Sequence, residues 1–112
     1  MSGSFLLFFF DWNSIALSER SMQFADEAVL ILANRPGSAR IEMAGHSDLS
    51  EPEAEGLSRR RVEAVAAAIS ARGVSRSRLR LVAFGATRPL VPTGVGIPEP
   101  QNRRVELVHR WD

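Results

Sequence analysis

Residues 40–62 read R-I-E-M-A-G-H-S-D-L-S-E-P-E-A-E-G-L-S-R-R-R-V, and within them the apolar period changes from two to nearly four. Up to Ala44 the pattern alternates, Ile41 and Met43 on one side against Arg40 and Glu42 on the other, which is the period of a half-buried strand near 39–44. Beyond Pro52 the period lengthens: Leu57, Val62, Val65, Ala66 and Ile69 recur at helical spacing, and Gly73 stands where a helix of about 53–72 would end. Between them Gly45 to Asp48 sits at the carboxyl end of the strand, the edge where sheets with helical crossovers tend to hold ligands. Asp48 lies just past that end and Arg61 on the first turns of the helix, at the border between core and solvent, whereas Arg59 and Arg60 point to water. One carboxylate and one guanidinium facing a single cleft would receive a zwitterion, the ammonium on Asp48 and the carboxylate in the planar fork of Arg61. The same pair reads equally as a salt bridge that ties loop to helix. Glu51, Glu53 and Glu55 read as a solvated acidic loop near the helix N-terminus.

Phe5 to Phe10 is apolar on both faces and stops at D-W-N-S, which predicts a central strand over 5–10 buried on both sides. In that turn Asn13 is either turn chemistry or an amide offered to a ligand. Ser18 caps a helix over 18–34, with Met22, Ala25, Ala28, Val29 and Leu32 as its apolar stripe and Asn34 to Gly37 as its stop. Leu79 to Phe84 is a third strand, 86–101 a loop rich in proline and glycine, and 104–110 a fourth strand with Val105 and Leu107 on one side. The expected fold is therefore α+β, in the order β-α-β-α-β-β, a single mixed sheet with two main helices packed on one face.

Composition narrows the function classes. A chain of 112 residues, 45% apolar and 24% charged, makes one domain with one core. Met1 to Ser4 reads as a cloning remnant, leaving 5–112 as a domain cut from a longer parent. The net charge of +1 gives no reason to expect an acidic polymer. Every basic side chain among the 14 is Arg, a group suited to planar carboxylate or phosphate recognition. Arg59 to Arg61 and Arg76 to Arg80 carry no aromatic stacking platform, so no nucleic-acid partner is expected. There is no Cys, and His46-x-Asp48 lacks a third ligand at sensible spacing, with His109 the only other His, so neither a metal nor a cofactor is expected. No nucleophile, base or carboxylate pair has the context of an enzyme, and His46 reads as a hydrogen-bonding residue at a strand end. The six-residue apolar run is too short to span a bilayer, so no membrane insertion by this domain is expected.

Four motifs together carry a resemblance: F-D-W-N-S at 10–14, G-H-S-D at 45–48, L-S-R-R-R-V at 57–62 and N-R-R-V-E at 102–106. In that order they resemble the OmpA-like domain, the OmpA/MotB C-terminal domain that binds peptidoglycan in the bacterial periplasm. The resemblance implies that Asp48 and Arg61 clamp the zwitterionic end of diaminopimelate in the stem peptide. It places Asn13, Ser47 and one of Arg103 or Arg104 along the same cleft, and it implies a wall-anchoring role for a parent envelope protein, with homodimerisation compatible with it. Two departures bear on this. Where the family carries a cleft Asn, this chain has Ala54, which implies weaker wall binding, and its loop from Asp48 to Leu57 is shorter and rich in Glu, so that Glu51, Glu53 and Glu55 either change which stem peptide is favoured or form only a solvated loop. The alternative is an OmpA-like fold used as a structural interaction module of the envelope, with weak or lost peptidoglycan affinity.

Overall fold

The computed structural model describes residues 2–37 and 39–110. Strand β1 (Ser2–Phe9) is followed by α1 (Glu19–Ala33), β2 (Ile41–Gly45), α2 (Ala54–Ser70), β3 (Leu79–Ala83) and β4 (Arg104–Arg110), with single 3₁₀ turns before β3 and β4. The four strands form one mixed sheet in the order β1-β4-β2-β3. β4 runs antiparallel to both of its neighbours, and β2 and β3 are parallel across the α2 crossover. The predicted α+β class, the element order and the single sheet with helices on one face all hold. Among the described residues no helix is long and apolar enough to cross a membrane.

The core follows from the two periods. Ile41 and Met43 of β2 and Val105 and Leu107 of β4 point to the helix side, where they meet Ala25, Ala28 and Leu32 of α1 and Val62, Val65, Ala66 and Ile69 of α2. Ser18 caps α1, its hydroxyl accepting from the Ser21 N–H at 3.1 Å. Two residues beyond Ala71, the C-cap of α2, Gly73 takes φ +99°, a left-handed conformation open to glycine without a Cβ penalty.

Three expectations are corrected. β1 is an edge strand, not a central one: Phe8 is fully buried, but Phe9 is 43% exposed on the other face. A short apolar run does not reveal how many strands flank it, and here the central places go to β4 and β2. β1 also starts earlier than predicted. Ser2–Ser4, read as lying outside the domain, pair with β4, and the Ser4 hydroxyl donates to Glu106 Oε1 at 2.6 Å; Met1 lies outside the described residues. On α1 the buried stripe is Ser21, Ala25, Ala28 and Leu32, so Met22, one residue round the helix, is turned outward.

Gly45 sets how α2 sits over β2. A Cβ on this residue would fall inside the Ser58 carbonyl of α2, a backbone atom that cannot swing away. The same turn of α2 is tied to the other side of the sheet edge, where Gly85 N–H donates to Ser58 Oγ at 2.9 Å. Gly45→Ala should therefore lower unfolding stability by about 2 kcal/mol or more in urea titration. Gly37→Ala, with open space around its Cβ, serves as the control and should change stability little.

Candidate functional site

The carboxyl ends of β1 and β2, the second turn of α2 and the residues leading into β4 meet at one end of the sheet. Arg61 is the centre of this meeting and is completely buried. It comes from the core face of α2, one position before Val62, and its guanidinium lies 5.2 Å from the centre of the Phe10 ring. Nε donates to Ser14 O at 3.0 Å, one Nη to His46 O and the other to Asp11 O, both at 3.2 Å. Both terminal nitrogens also donate to Glu51, one to Oε1 at 2.8 Å and the other to Oε2. All of its N–H groups are thus in use.

Glu51 is as deeply enclosed as its partner, with no exposed side-chain surface. Beyond the Arg61 fork, its carboxylate accepts from two backbone amides: Asn13 N–H at 2.7 Å and Asp48 N–H at 2.9 Å. A charge pair with no access to water persists only where such hydrogen bonds fill every remaining lone pair, and this one is filled from four sides.

Asp48 is 1% exposed and pairs not with Arg61 but with Arg103, whose Nη1 donates to Oδ2 at 2.9 Å. Glu99 N–H donates to the same oxygen at 3.0 Å, and Ser50 donates to Oδ1 through its N–H and its hydroxyl. Burial alone would raise the Asp48 pKa, but the bonds from Ser50, Glu99 and Arg103 outweigh it and hold the group below its ordinary value. Arg103 also donates from Nε to Phe10 O at 3.0 Å, which ties the start of β4 to the end of β1.

The other sequence candidates divide between two places. Asn13 adopts φ +53°, the turn role, and reaches the cluster through its backbone N–H while its side chain is exposed. Ser47 is buried and donates to Ala54 O at 2.8 Å, fixing the turn to the start of α2. Ala54 itself opens on a hollow with Glu55, Phe84 and Gly85. Arg103 belongs to the Asp48 cluster. Arg104 points to the opposite, helix-free face of the sheet, where it donates to Glu106 Oε2 at 3.0 Å beside the ring of His46. There the His46 ring stacks on Phe84 with centroids 5.5 Å apart, and Nε2 lies 3.0 Å from Glu106, although neither ring nitrogen makes a well-directed hydrogen bond. No cluster of metal-binding side chains occurs among the described residues.

The site therefore differs from its sequence reading in two respects. Asp48 and Arg61 do converge on one end of the sheet, but each is closed in an ion pair with another residue instead of facing an open cleft. Glu51 is not part of a solvated loop; Glu53 and Glu55 are exposed, Glu51 is not. The signal for Glu51 was present in D-L-S-E. An Asp followed three residues later by Glu is the reciprocal pattern of a capping box, and here Ser50 N–H bonds Asp48 while Asp48 N–H bonds Glu51. Trp12, whose indole N–H donates to Ser50 Oγ at 2.9 Å, and Asn102, whose amide holds Val91 through both N–H and C=O, were also missed.

Two outcomes follow from this geometry. Arg61→Ala leaves the Glu51 carboxylate buried without its counter-charge, so it should cost about 3–5 kcal/mol in chemical denaturation, whereas Arg59→Ala on the exposed face should change stability by less than about 0.5 kcal/mol. On the open face, Glu106 is held at about 2 against an ordinary 4.5, chiefly by the proximity of His46, against the opposing effect of burial and with help from Ser4 and Arg104. Because the folded pKa is depressed, its stabilisation is full above pH 4.5 and is lost as pH falls toward 2. Glu106→Gln should flatten the pH–stability curve across that window by on the order of 1–2 kcal/mol in urea titrations at successive pH values.

Comparison with known proteins gives the lineage. Residues 9–103 match the model of the OmpA family. An outer membrane protein of Gluconacetobacter diazotrophicus is 37% identical over 110 residues, covering 91% of this chain and 29% of that protein. A peptidoglycan-associated lipoprotein of Legionella pneumophila is 31% identical over 105 residues, covering 92% of this chain and 59% of that protein. The chain thus spans between about a third and three fifths of these relatives. Among solved structures, the peptidoglycan-associated lipoprotein of Burkholderia pseudomallei superposes with a TM-score of 0.83 at 24% identity, covering 93% of this chain and 89% of that one. The C-terminal domain of Helicobacter pylori MotB gives 0.82 at 22% identity, covering 95% of this chain and 85% of that one; both are likenesses of fold. With four motifs in order, the sheet they predict and a family match across nearly the whole domain, this chain belongs to the OmpA family.

Proposed function

We propose that this domain binds bacterial peptidoglycan non-covalently through the diaminopimelate of the stem peptide and so anchors a parent envelope protein to the wall from the periplasm. The observation that carries the reading is the convergence of the four motifs on one end of the sheet. A guanidinium and two backbone N–H groups there are arranged around a carboxylate, and the Asp48 carboxylate stands beside them. A diaminopimelate end carries an ammonium and a carboxylate on one carbon, and this site has one group of the right charge for each: Asp48 for the ammonium, Arg61 for the carboxylate. Asn13, Ser47 and Arg103 would shape the rim. The name of the Legionella relative, a peptidoglycan-associated lipoprotein, supports the same reading.

A second reading has its own observation. The N–H groups of Arg61 are all engaged within the protein, and Asp48 already accepts four hydrogen bonds, so the closed site has no spare donor or acceptor. That favours a structural module of the envelope with weak or lost wall affinity.

Co-sedimentation with purified sacculi separates the two. The binding reading predicts that the chain pellets with sacculi and is released by a soluble diaminopimelate-containing stem peptide. Asp48→Ala, checked for folding by circular dichroism, should weaken retention by roughly thirtyfold, about 2 kcal/mol, while Arg59→Ala leaves it unchanged. A chain that stays in the supernatant, or that is lost equally on either substitution, would remove the clamp reading in favour of the structural module.

A further inference from the structure

Glu51 fills a complete carboxylate-binding arrangement from within the chain. Its two oxygens take four donated hydrogens, two from the Arg61 fork and two from the backbone of Asn13 and Asp48, which is the full complement a free carboxylate could accept in such a cradle. Part of the cradle is held by bonds that do not involve the Glu51 carboxylate. Three other N–H groups of Arg61 donate to the carbonyls of Ser14, His46 and Asp11. Asn13 is set by its positive-φ turn, with Ser14 N–H bonding back to Asp11 O at 3.1 Å, and His46 N–H, two residues before Asp48, is bonded to Arg104 O at 2.8 Å. The occupant, by contrast, sits on irregular chain between β2 and α2. Its neighbours Pro52 and Glu53 are exposed, and Glu53 holds a left-handed φ of +48° with no side-chain cap. Donors from three separate segments thus surround a side chain carried by a short turn.

We propose that Glu51 is a built-in ligand: its carboxylate fills a carboxylate-binding site of this domain, and an external carboxylate, such as that of a peptide or amino acid, can enter only by exchange with it. This rests on the site assigned above and concerns how that site is kept closed. Exchange replaces one carboxylate by another in the same four-donor cradle, so the Arg61 charge never stands unpaired. The cost of opening is that of releasing the 49–53 turn, including the bonds of Ser50 to Asp48 and Trp12.

Removing the side chain tests this by chemical rescue. Glu51→Ala should melt roughly 10 °C below the parent in sodium chloride and should recover much of that loss, saturably, in sodium formate or acetate of equal ionic strength. The parent chain should melt alike in all three salts. In ¹⁵N spectra the amides of Asn13 and Asp48 should shift on formate titration of Glu51→Ala and not of the parent. Glu51→Ala/Arg61→Ala should show no rescue. If Glu51→Ala folds only when formate is present, that too is rescue; if it stays unfolded in formate as in chloride, or folds with no preference for carboxylates, the proposal is overturned. The sacculus assay keeps the two readings apart. Tighter retention of Glu51→Ala than of the parent, by roughly tenfold or more, supports both. Formate rescue with no retention of either chain supports the built-in ligand and removes the peptidoglycan reading.

Discussion

The buried guanidinium of Arg61 is the constraint on which the rest of this end of the molecule depends. A permanently charged group without solvent can be tolerated only if every donor is met and the charge is balanced nearby. The chain meets this with carbonyls at the end of β1 and of β2 and a carboxylate from the turn between β2 and α2. Each partner is a loop residue, and each loop is where it is because a strand ends there. The site is therefore assembled by the fold's termini, and its two ion pairs, Arg61 with Glu51 and Asp48 with Arg103, interlock through the Asp48 backbone, which donates to the carboxylate of one pair while its side chain belongs to the other.

This arrangement reconciles the two readings of the Asp48 and Arg61 motifs. A tie between loop and helix and a receptor for a zwitterion need the same residue types in the same place. What distinguishes them is whether the counter-ion is covalently part of the chain. Here it is: Glu51 is carried into the cradle by a tight D-x-x-E turn directly after Asp48.

The sheet's alternation and the helical stripes were legible because they rest on local period. Val105 and Leu107 inward with Arg104 and Glu106 outward, or Leu57, Val62, Val65 and Ile69 on one helix face, follow from spacing alone. The place of β1 at the edge was not legible, since Phe8 and Phe9 are equally apolar and only pairing decides which meets water. In the site, Asp48, Arg61 and the Arg103–Arg104 pair could be named from the motifs, but which residue would pair with which could not. Arg103 and Arg104 are chemically identical neighbours, and only the strand's alternation at that point sends one to Asp48 and the other to the open face. Glu51 looked like one of three solvated acids because charge is usually at the surface; its burial depends on a long-range donor, Arg61, and on Asn13 from another turn.

If the four-donor cradle around Arg61 is a carboxylate site independent of the side chain that fills it, a crystal of Glu51→Ala grown with formate should hold a formate between the Arg61 fork and the N–H groups of Asn13 and Asp48, with Arg61 still bound to the carbonyls of Asp11, Ser14 and His46. An Arg61 side chain swung out to solvent, or a cradle collapsed with no anion in it, would contradict it.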